Sequence, residues 1–330
     1  MDTDNTLSRE TGVICRRNVS SYLVRIGTRI VSCRRTPASK DASGPPSDLP
    51  AGRKGTKHKG KSKRTGLETA FVGDRVRIRL DDSDAGWITE ILPRRNRFSR
   101  RSPGAATEQV LAANIDQILA CCALEGKEPE WHMLDRFLAA AEIAGIPVGI
   151  LLTKSDLLAD TGSLLDAVQR EIREYRQVGY PAVSCSVRTG QGREDIQSLL
   201  QGKTTLLLGK SGVGKTSLVN ALFPEWDLPI QEINRFGEGR CTTSNAELYA
   251  LDSGAVVDTP GVRKFTLWGA EEFNPAYGFR EMRPLIGRCR FGAGCRHSEE
   301  PGCAIRRALE EGRIGVRRFR SMLHLAEDHP

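Results

Sequence analysis

The sequence predicts a multidomain α/β protein with a small N-terminal β-barrel and a C-terminal zinc-binding helical domain. Three observations support this prediction. Strand patterns with a period of two fill the first part of the chain, strand and helix patterns alternate from about residue 110, and three cysteines cluster with one histidine near the C-terminus. A chain of 330 residues can hold three cores. We expect domains at 1–109, 110–268 and 269–330.

Charge is distributed unevenly along the chain. Residues 1–101 hold 23 Lys and Arg against 11 Asp and Glu, a net charge of +12, whereas residues 102–330 hold 26 against 30, a net charge of −4. A basic N-terminal third on a slightly acidic remainder indicates contact with a polyanion. Nucleic acid is the first expectation and an anionic membrane surface the second.

Composition also bears on the cellular compartment. The most apolar run, at 143–152, is short and interrupted by two glycines and a proline, so we expect no membrane span. The N-terminus carries Asp2 and Asp4 where a signal peptide has an apolar core. Six of the nine cysteines are scattered, a pattern that favours a reducing compartment. We therefore expect a cytoplasmic protein that does not bind membranes.

The predicted barrel begins with strands at Val13–Cys15 and Tyr22–Ile26. The next segment is rich in Pro, Gly, Ser and Lys, with seven Lys and Arg between residues 53 and 64 and no acidic residue among them. It cannot bury enough apolar surface to order itself, so we predict a disordered basic insertion at 35–66. A solvated linker and a flexible phosphate-binding arm are both compatible with this composition.

Strand patterning resumes at Asp74–Leu80, where three aliphatic residues alternate with Arg75, Arg77 and Arg79. A further strand is predicted at Gly86–Leu92, and a basic cluster around one phenylalanine follows at 93–101. Short strands at this density favour a barrel of the oligonucleotide-binding (OB) type. An arginine face alone is as often merely solvated, but together with the cluster it indicates an RNA or DNA contact surface.

After about residue 110 the pattern becomes α/β. Strands are predicted at Asn114–Ala120 and Val148–Leu152, with a helix at Asp135–Ala141 between them. Alternation of this kind implies a parallel sheet, which binds ligands at the carboxyl ends of its strands. Two motifs, at 153–156 and 209–216, directly follow such ends.

The second of these motifs reads Gly-Lys-Ser-Gly-Val-Gly-Lys-Thr between an apolar strand and a helix. Its glycines let backbone N–H groups point at phosphate oxygens, and the helix N-terminus adds positive potential. We expect Lys215 to reach the β- and γ-phosphates and the Thr216 hydroxyl to bind Mg²⁺. The predicted phosphate site comprises Gly209, Lys210, Ser211, Gly212, Val213, Gly214, Lys215, Thr216 and Ser217.

The first motif is Thr153, Lys154, Ser155 and Asp156. Guanine-nucleotide-binding proteins end this strand in Asn-Lys-x-Asp, whose carboxylate accepts hydrogen bonds from guanine N1–H and the exocyclic amine. Adenine presents an acceptor there, so Asp156 disfavours ATP. Thr153 lacks the amide that braces neighbouring loops, and we expect some loss of affinity. A backbone N–H for the guanine carbonyl is expected from Ser184, Cys185 and Ser186.

The third motif follows an apolar strand and runs from Asp258 to Gly261. It predicts a carboxylate near Mg²⁺ and a glycine N–H at the γ-phosphate. Threonines between it and the phosphate loop offer hydroxyls for a Mg²⁺-sensing switch. The expected catalytic residues are Lys215, Thr216, Thr242, Thr243, Asp258 and Gly261. The expected Mg²⁺ ligands are Thr216, Thr242 and Asp258.

The C-terminal cluster comprises Cys289, Cys295, His297 and Cys303. Three thiols and one imidazole can close a tetrahedral structural zinc site that keeps no open position for catalysis. Unligated buried cysteines are the alternative. Residues 304–325 are predicted to form helices with basic faces.

The order of the motifs is unusual, because the base-recognition motifs precede the phosphate loop. Circular permutation produces this order and is feasible where chain termini lie close together. The arrangement resembles the ribosome small-subunit-dependent GTPase A family (RsgA, also called YjeQ) over about residues 10–325, with 35–66 as an addition of this chain. Connecting sequences similar to those of the family occur at 73–76, 113–116 and 261–263.

This resemblance implies an OB-type barrel, a circularly permuted P-loop GTPase domain and a zinc domain. It also implies a GTP-hydrolysing assembly factor that binds the small ribosomal subunit and its rRNA late in maturation and leaves on hydrolysis. The implied cofactors are one structural Zn²⁺, and Mg²⁺ with GTP. We expect a monomer.

The sequence departs from the expected pattern at several positions. Val262 stands where many GTPases have the Gln that orients water, and Cys241 and Ser244 replace a His and a Thr of the RsgA switch. The spacing from Cys289 to Cys295 is one residue longer than usual. We therefore expect slow intrinsic turnover that a bound partner or an ordered cation accelerates. The rival interpretations are an RNA-binding scaffold with a weakly hydrolytic, structural guanine site and a GTPase at an anionic membrane.

Overall fold

The computed structural model describes residues 9–35, 69–81, 85–102, 107–158, 162–226, 228, 246–262, 265–269 and 273–327. The basic insertion beyond Arg35 lies outside these residues, as do the switch residues Cys241, Thr242, Thr243 and Ser244. What the sequence indicates for them stays a prediction. Within the described ranges, the helices are too short or too polar to span a bilayer.

The N-terminal part is a closed five-stranded barrel. Its strands are β1 (Arg9–Arg17), β2 (Tyr22–Ile26), β3 (Arg29–Arg35), β4 (Arg75–Leu80) and β5 (Gly86–Ile91). Strand β1 pairs with β2 and β4, β2 pairs with β3, and β5 joins β3 to β4. The predicted N-terminal β-barrel is confirmed. The third strand was not predicted from the sequence. Ile30 is 61% exposed, so the apolar residues of β3 do not alternate regularly with polar ones.

The barrel encloses an apolar core of its own. The core residues include Ile14, Val24, Val31, Val76, Ile78 and Ile88. Strand β4 follows its predicted alternation, with its three aliphatic side chains buried and its three arginines exposed. The period-two pattern therefore predicts correctly which side chains of β4 face the core.

A hairpin connects the barrel to the next sheet. It consists of β6 (Arg97–Arg101) and β7 (Glu108–Ala113). The predicted strand start at Asn114 is wrong, because Asn114 has a left-handed backbone with φ of 56°. Its side chain donates to the Gly73 carbonyl at 2.9 Å and accepts from the Arg95 N–H at 2.9 Å. These bonds fix a corner, and the strand begins at Gln117 instead.

The central part is a six-stranded sheet flanked by helices. Its strands are β8 (Gln117–Ala123), β9 (Val148–Thr153), β10 (Ala182–Ser184), β11 (Lys203–Gly209), β12 (Glu247–Ala250) and β13 (Gly254–Asp258). Its helices are α1 (Trp131–Ile143), α2 (Ser163–Gln177), α3 (Arg193–Leu200) and α4 (Lys215–Leu222). The spatial order is β10-β9-β8-β11-β13-β12, parallel except for β12. The carboxyl ends of the parallel strands thus meet at one edge, as the α/β prediction requires.

The C-terminal module (residues 273–327) consists of short 3₁₀ turns followed by two helices, α5 (Ala304–Glu310) and α6 (Val316–Glu327). Its apolar side chains join those of α1 in one continuous core. The approach is close, because a Cβ on Gly278 would lie 2.6 Å from the Cβ of Ala139. The module is therefore packed directly onto the sheet domain.

Helix α6 turns two basic residues inward, so the expected basic outer face is wrong at these positions. Arg317 and Arg318 both pair with Asp135 of α1, at 2.5 and 2.8 Å, and the Tyr175 hydroxyl donates to the same carboxylate at 2.6 Å. Arg318 also pairs with Glu281 at 2.8 Å. Burial acts to raise the pKa of Asp135, but the charges of Arg318 and Arg317 outweigh it and hold this pKa below its usual value.

Candidate functional site

The phosphate loop joins the end of β11 to the start of α4, as the sequence predicts. Gly212 and Gly214 have φ angles of 78° and 98°, which favour glycine. A Cβ on Gly209 would lie 2.9 Å from the carbonyl oxygen of Cys121 in β8. The predicted phosphate-site residues, 209–217, therefore run from the end of β11 through a tight loop into the first turn of α4.

The two polar residues that begin α4 have different partners, one within the phosphate loop and one in β13. The buried Lys215 ammonium donates to the carbonyls of Gly209 at 3.0 Å and Lys210 at 3.2 Å. The Thr216 hydroxyl donates to Asp258 Oδ2 at 3.0 Å. The structure thus brings together Thr216 and Asp258, which were predicted from separate motifs.

The Asp258–Gly261 segment packs tightly against the phosphate loop. A Cβ on Gly261 would lie 2.3 Å from the Cα of Ser211, so the backbones approach too closely for any side chain there. The N–H of Val262 donates to the Gly209 carbonyl at 3.1 Å. The Val262 side chain is buried in the core, where it offers the site no polar group.

Thr153 retains a brace that the sequence analysis expects to be lost. Its buried hydroxyl donates to the carbonyl of Val213 in the phosphate loop at 2.6 Å and lies 3.4 Å from the Cys122 carbonyl. A hydroxyl has one proton to donate, whereas an amide has two. Thr153 therefore links the base-recognition strand to the phosphate loop through one donor.

Asp156 is held by the loop that follows β10. The Ser186 hydroxyl donates to Asp156 Oδ1 at 2.6 Å, and Arg188 Nε lies 3.0 Å from Oδ2. The Ser186 hydrogen bond is the main cause that lowers the pKa of Asp156. Asp156 is therefore an ionised acceptor at neutral pH, as guanine recognition requires.

Lys154 adopts a left-handed backbone with φ of 57° directly after β9. Its ammonium pairs with Glu125 Oε1 at 2.6 Å. Burial acts to raise the pKa of Glu125, but the hydrogen bond from Lys154 helps to bring it below its usual value. Glu125 was not predicted from the sequence. Its ion pair fixes the position of the Lys154 side chain, two residues before Asp156.

The three residues predicted to contact the guanine carbonyl have different surroundings. Ser184 ends β10, the Cys185 N–H donates to the Leu152 carbonyl at 2.7 Å, and the Ser186 N–H donates to the Gln191 carbonyl at 3.1 Å. Two of these amides are thus engaged within the protein. The sequence analysis missed that Ser186 acts through its hydroxyl on Asp156.

The four predicted metal ligands also converge. The ligand atoms of Cys289, Cys295, His297 and Cys303 all lie within 4.8 Å of one another, and all four residues are buried. Two sulfurs are 3.8 Å apart, and His297 Nδ1 lies 3.4 and 3.6 Å from them. A tetrahedral zinc ion with ordinary bond lengths requires separations of about 3.8 and 3.6 Å. The donor set therefore fits zinc.

Surrounding groups support the cluster. Burial lowers the pKa of His297, which favours the neutral imidazole that can bind a metal. The side-chain nitrogen of Asn274 lies 2.9 Å from the other ring nitrogen of His297. The extra residue of the first spacing falls near a 3₁₀ turn at Gly292–Gly294, where Gly292 has φ of 58°.

Comparison with known proteins identifies this arrangement. Residues 91–268 match the family described as RsgA GTPase. A relative from Hahella chejuensis, named small ribosomal subunit biogenesis GTPase RsgA, is 39% identical over 266 residues, which cover 80% of this chain and 75% of the relative. The chain belongs to the RsgA GTPase family. A relative of the same name from Gemmatimonas aurantiaca is 41% identical over 263 residues, covering 78% and 83% of the two chains.

Solved structures agree with the RsgA assignment. YjeQ from Thermotoga maritima superposes with a TM-score of 0.70 over 97% of this chain and 98% of that chain, at 26% identity. YloQ, described as a circularly permuted GTPase, gives a TM-score of 0.66 over 100% and 99% of the two chains, at 24% identity, and shares the fold. The family resemblance and the permuted order are confirmed.

The basic surface of this RsgA-family chain is smaller than the sequence predicts. Arg94 turns inward and pairs with the buried Asp74 at 2.6 Å, and Phe98 is 1% exposed, stacked on Phe265. The aromatic centre of the predicted cluster is therefore part of the core. Further pairs engage the arginines of this segment: Arg95 with Asp116 at 2.8 Å and Arg97 with Glu108 at 3.0 Å. Arg95 and Arg97 stay 63% and 50% exposed, so they remain candidates for RNA contact together with the exposed β4 arginines.

One further contact of the phosphate loop was not predicted. Lys210 pairs with both carboxylate oxygens of Glu130, at 2.6 and 2.8 Å, directly before α1. A cavity of about 250 Å³ lies beside this pair, lined by Glu125, Met133 and Phe137 among others. The spacing between Glu130 and Lys210 along the chain gives no sequence signal for such a pair. The contact ties the loop to the start of α1.

Proposed function

We propose that this chain is a GTPase that acts in the biogenesis of the small ribosomal subunit. The observation that carries the proposal is the convergence of three motifs on one sheet edge: the phosphate loop that follows β11, Asp258 at the end of β13, and Asp156 after β9. Family membership supports the reaction class. The names of the two relatives described above supply the process.

In this proposal, guanine binds through the Asp156 carboxylate while the Lys154 stem covers the base. Because the amides of Cys185 and Ser186 already donate within the protein, we assign the guanine carbonyl to the next amide, that of Val187. ATP is rejected because adenine cannot donate to Asp156 at its N1 position.

The phosphates occupy the loop at 209–216. Its backbone N–H groups and the Lys215 ammonium hold the β- and γ-phosphates, and Lys215 exchanges its two carbonyl contacts for phosphate oxygens. Thr216, Thr242 and Asp258 are the proposed Mg²⁺ ligands. When bound, Mg²⁺ neutralises charge that develops on the phosphates during hydrolysis.

Intrinsic hydrolysis is proposed to be slow. The buried Val262 cannot orient a water molecule, and a neutral thiol at Cys241 is a poor substitute for imidazole. Acceleration then has to come from a bound partner or an ordered cation. We propose that the small ribosomal subunit is this partner and that hydrolysis releases the chain from it.

The partner surface is proposed to lie on the barrel. The exposed β4 arginines, Arg75, Arg77 and Arg79, offer positive charge for rRNA phosphates, and Arg77 is shared with Glu90 at 2.8 Å. The division at 1–109, 110–268 and 269–330, a monomeric state and a cytoplasmic location belong to the same proposal. The zinc cluster, with four protein ligands, takes a structural role in it.

The deciding experiment measures GTP turnover by the full chain with and without purified small ribosomal subunits. We expect stimulation of at least about tenfold, since a partner that completes a GTPase site accelerates hydrolysis strongly. Asp156→Asn is the matched variant, because it should lose GTP and gain xanthosine triphosphate, whose base presents the complementary edge. ATP competing as well as GTP, or subunits without effect, would contradict the proposal.

A scaffold with a structural guanine site is the second candidate, and the buried Val262 favours it. It predicts tight GDP and GTP binding, RNA binding and no subunit-stimulated turnover. A comparison of cosedimentation with small ribosomal subunits and with anionic liposomes separates the assembly GTPase and the scaffold from the membrane GTPase that the basic insertion suggests. Binding to liposomes alone would favour the membrane alternative.

A further inference from the structure

The loop after β10 is built around the Asp156 carboxylate. It closes on itself, because the Ser186 N–H donates to the Gln191 carbonyl at 3.1 Å and the Gly190 N–H donates to the Ser186 carbonyl at 3.0 Å. The Ser186 hydroxyl accepts from the Thr189 N–H at 3.2 Å and donates to Asp156 Oδ1. This closed loop places Arg188, at its tip, beside the second carboxylate oxygen of Asp156.

Arg188 and Asp156 differ strongly in exposure. The Asp156 side chain is 10% exposed, whereas that of Arg188 is 75% exposed, and Nε lies 3.0 Å from Oδ2. Arg188 thus approaches the carboxylate from the solvent. Because Ser186 contacts Oδ1 and Arg188 contacts Oδ2, a base that pairs with both carboxylate oxygens meets Arg188 at Oδ2.

The guanidinium group and the guanine edge present the same pattern of donors. In guanine, N1–H and the exocyclic amine are attached to one carbon, as the nitrogens of a guanidinium are, and each edge can donate two parallel hydrogen bonds to a carboxylate. We propose that Arg188 is an internal substitute for guanine, which pairs with Asp156 and has to leave Oδ2 before the base can bind. This proposal rests on the proposed guanine site.

If Arg188 has to leave Oδ2 before guanine binds, its removal should speed nucleotide association. An exposed ion pair contributes little free energy, so Arg188 delays binding modestly and does not block it. Electrostatic attraction acts in the opposite direction, because removal of a positive charge slows the approach of an anionic nucleotide. Faster nucleotide association in a variant that lacks Arg188 therefore indicates that Arg188 is displaced from Asp156 when the base binds.

The test is stopped-flow binding of a fluorescently labelled GDP to the full chain. Arg188→Ala should associate about two- to fivefold faster than the wild type. The matched control is Arg193→Ala, which removes an exposed positive charge at the start of α3 nearby and should associate no faster. Arg188→Lys, which keeps the charge but loses the planar pair of donors, should lie between wild type and Arg188→Ala. The advantage of Arg188→Ala should shrink at high salt.

Association by Arg188→Ala that is unchanged or slower than that of the wild type would overturn the proposal, whatever happens to dissociation. Unchanged association with faster dissociation would mean that Arg188 contacts the bound base instead. If the wild type does not bind the labelled GDP, the proposed guanine site itself is wrong. The two failures are therefore distinguishable in one experiment.

Discussion

The barrel and the C-terminal module attach to the central sheet in different ways. The barrel has an apolar core of its own and adds only a few side chains, such as Cys15 and Val72, to the core of the sheet domain. It meets the sheet where β1 pairs with β12, with Arg16 beside Glu247, and along the β6–β7 hairpin. The module shares one core with α1 and inserts Arg318, 3% exposed, onto the fully buried Asp135. The barrel is thus attached mainly by a strand pairing and a few apolar side chains, whereas the module is built into the core.

This difference indicates which unit can move. We call β8–β13, α1–α4 and the C-terminal module together the body. Separating buried, paired charges is costly, whereas an exposed pair is worth little. Any nucleotide-driven reorientation of the C-terminal module relative to the barrel is therefore expected as movement of the barrel against an intact body.

Helix α1 is the element that connects the nucleotide site to the module. The Lys210–Glu130 pair lies directly before its first turn, and Asp135 holds α6. Arg136 donates to the Phe265 carbonyl at 3.2 Å, close after the Asp258–Gly261 segment. A change at the phosphates thus acts on an element that is already fastened to the module.

Removal of zinc should give the largest effect. Structural zinc contributes on the order of 10 kcal/mol to the folding of small zinc modules. Because the module shares the core of the body, a chelator should lower the midpoint of body unfolding in a thermal melt and leave the barrel folded. Cys33→Ser, which alters a buried barrel thiol, should show the same chelator effect as wild type. A body midpoint that is insensitive to the chelator would mean that the module is independent.

Asp135→Asn should give the next largest effect. It leaves Arg317 and Arg318 without their shared charge in a buried setting, which costs about 3–5 kcal/mol. Urea denaturation followed by circular dichroism measures this loss. Glu90→Gln, which breaks the exposed pair with Arg77, should cost no more than about 1 kcal/mol. Equal losses for the two variants would remove the distinction between buried paired charges and exposed ones.

Thr153→Val should weaken nucleotide binding within the body while the barrel stays unaffected. It leaves the Val213 carbonyl without its hydroxyl donor, and an unsatisfied buried acceptor costs about 1–3 kcal/mol. We expect GDP affinity, measured by titration calorimetry, to fall by about five- to thirtyfold. Thr153→Ser keeps the hydroxyl and should retain most of the affinity. Wild-type affinity in Thr153→Val would show that the brace has no role.

Arg16→Ala should have the smallest effect on stability, within about 1 kcal/mol, because its pair with Glu247 is partly exposed. Limited proteolysis should nevertheless cut faster between the barrel and the body, because a docking contact is lost. A stability loss as large as that of Asp135→Asn would place the barrel in the same class as the module.

The sequence predicts the site better than the packing around it. Motifs that follow parallel strands meet at one edge because the strands share a direction, so Lys215, Asp156 and Asp258 could be assigned from their motifs and their positions at predicted strand ends. The cysteine cluster could be assigned because its ligands lie close along the chain. The β4 alternation could be read because one face is buried and the other is solvated.

Contacts distant in sequence carried no such signal. Arg317 and Arg318 have the same composition as a solvated helix face, and their partner Asp135 lies far earlier in the chain. Arg94 likewise looks like part of a basic surface until Asp74 is placed beside it. The Thr153 brace depends on where the Val213 carbonyl points, which a residue type does not reveal.

The C-terminal module is thus part of the body, and the barrel is the unit that we expect to move. Hydrogen exchange of the full chain with GDP and with a non-hydrolysable GTP analogue tests this expectation most directly. We expect equal protection of the α6 amides in both states and changed protection where the barrel and the β6–β7 hairpin meet the body. Changes concentrated in α6 with an unchanged barrel interface would contradict it.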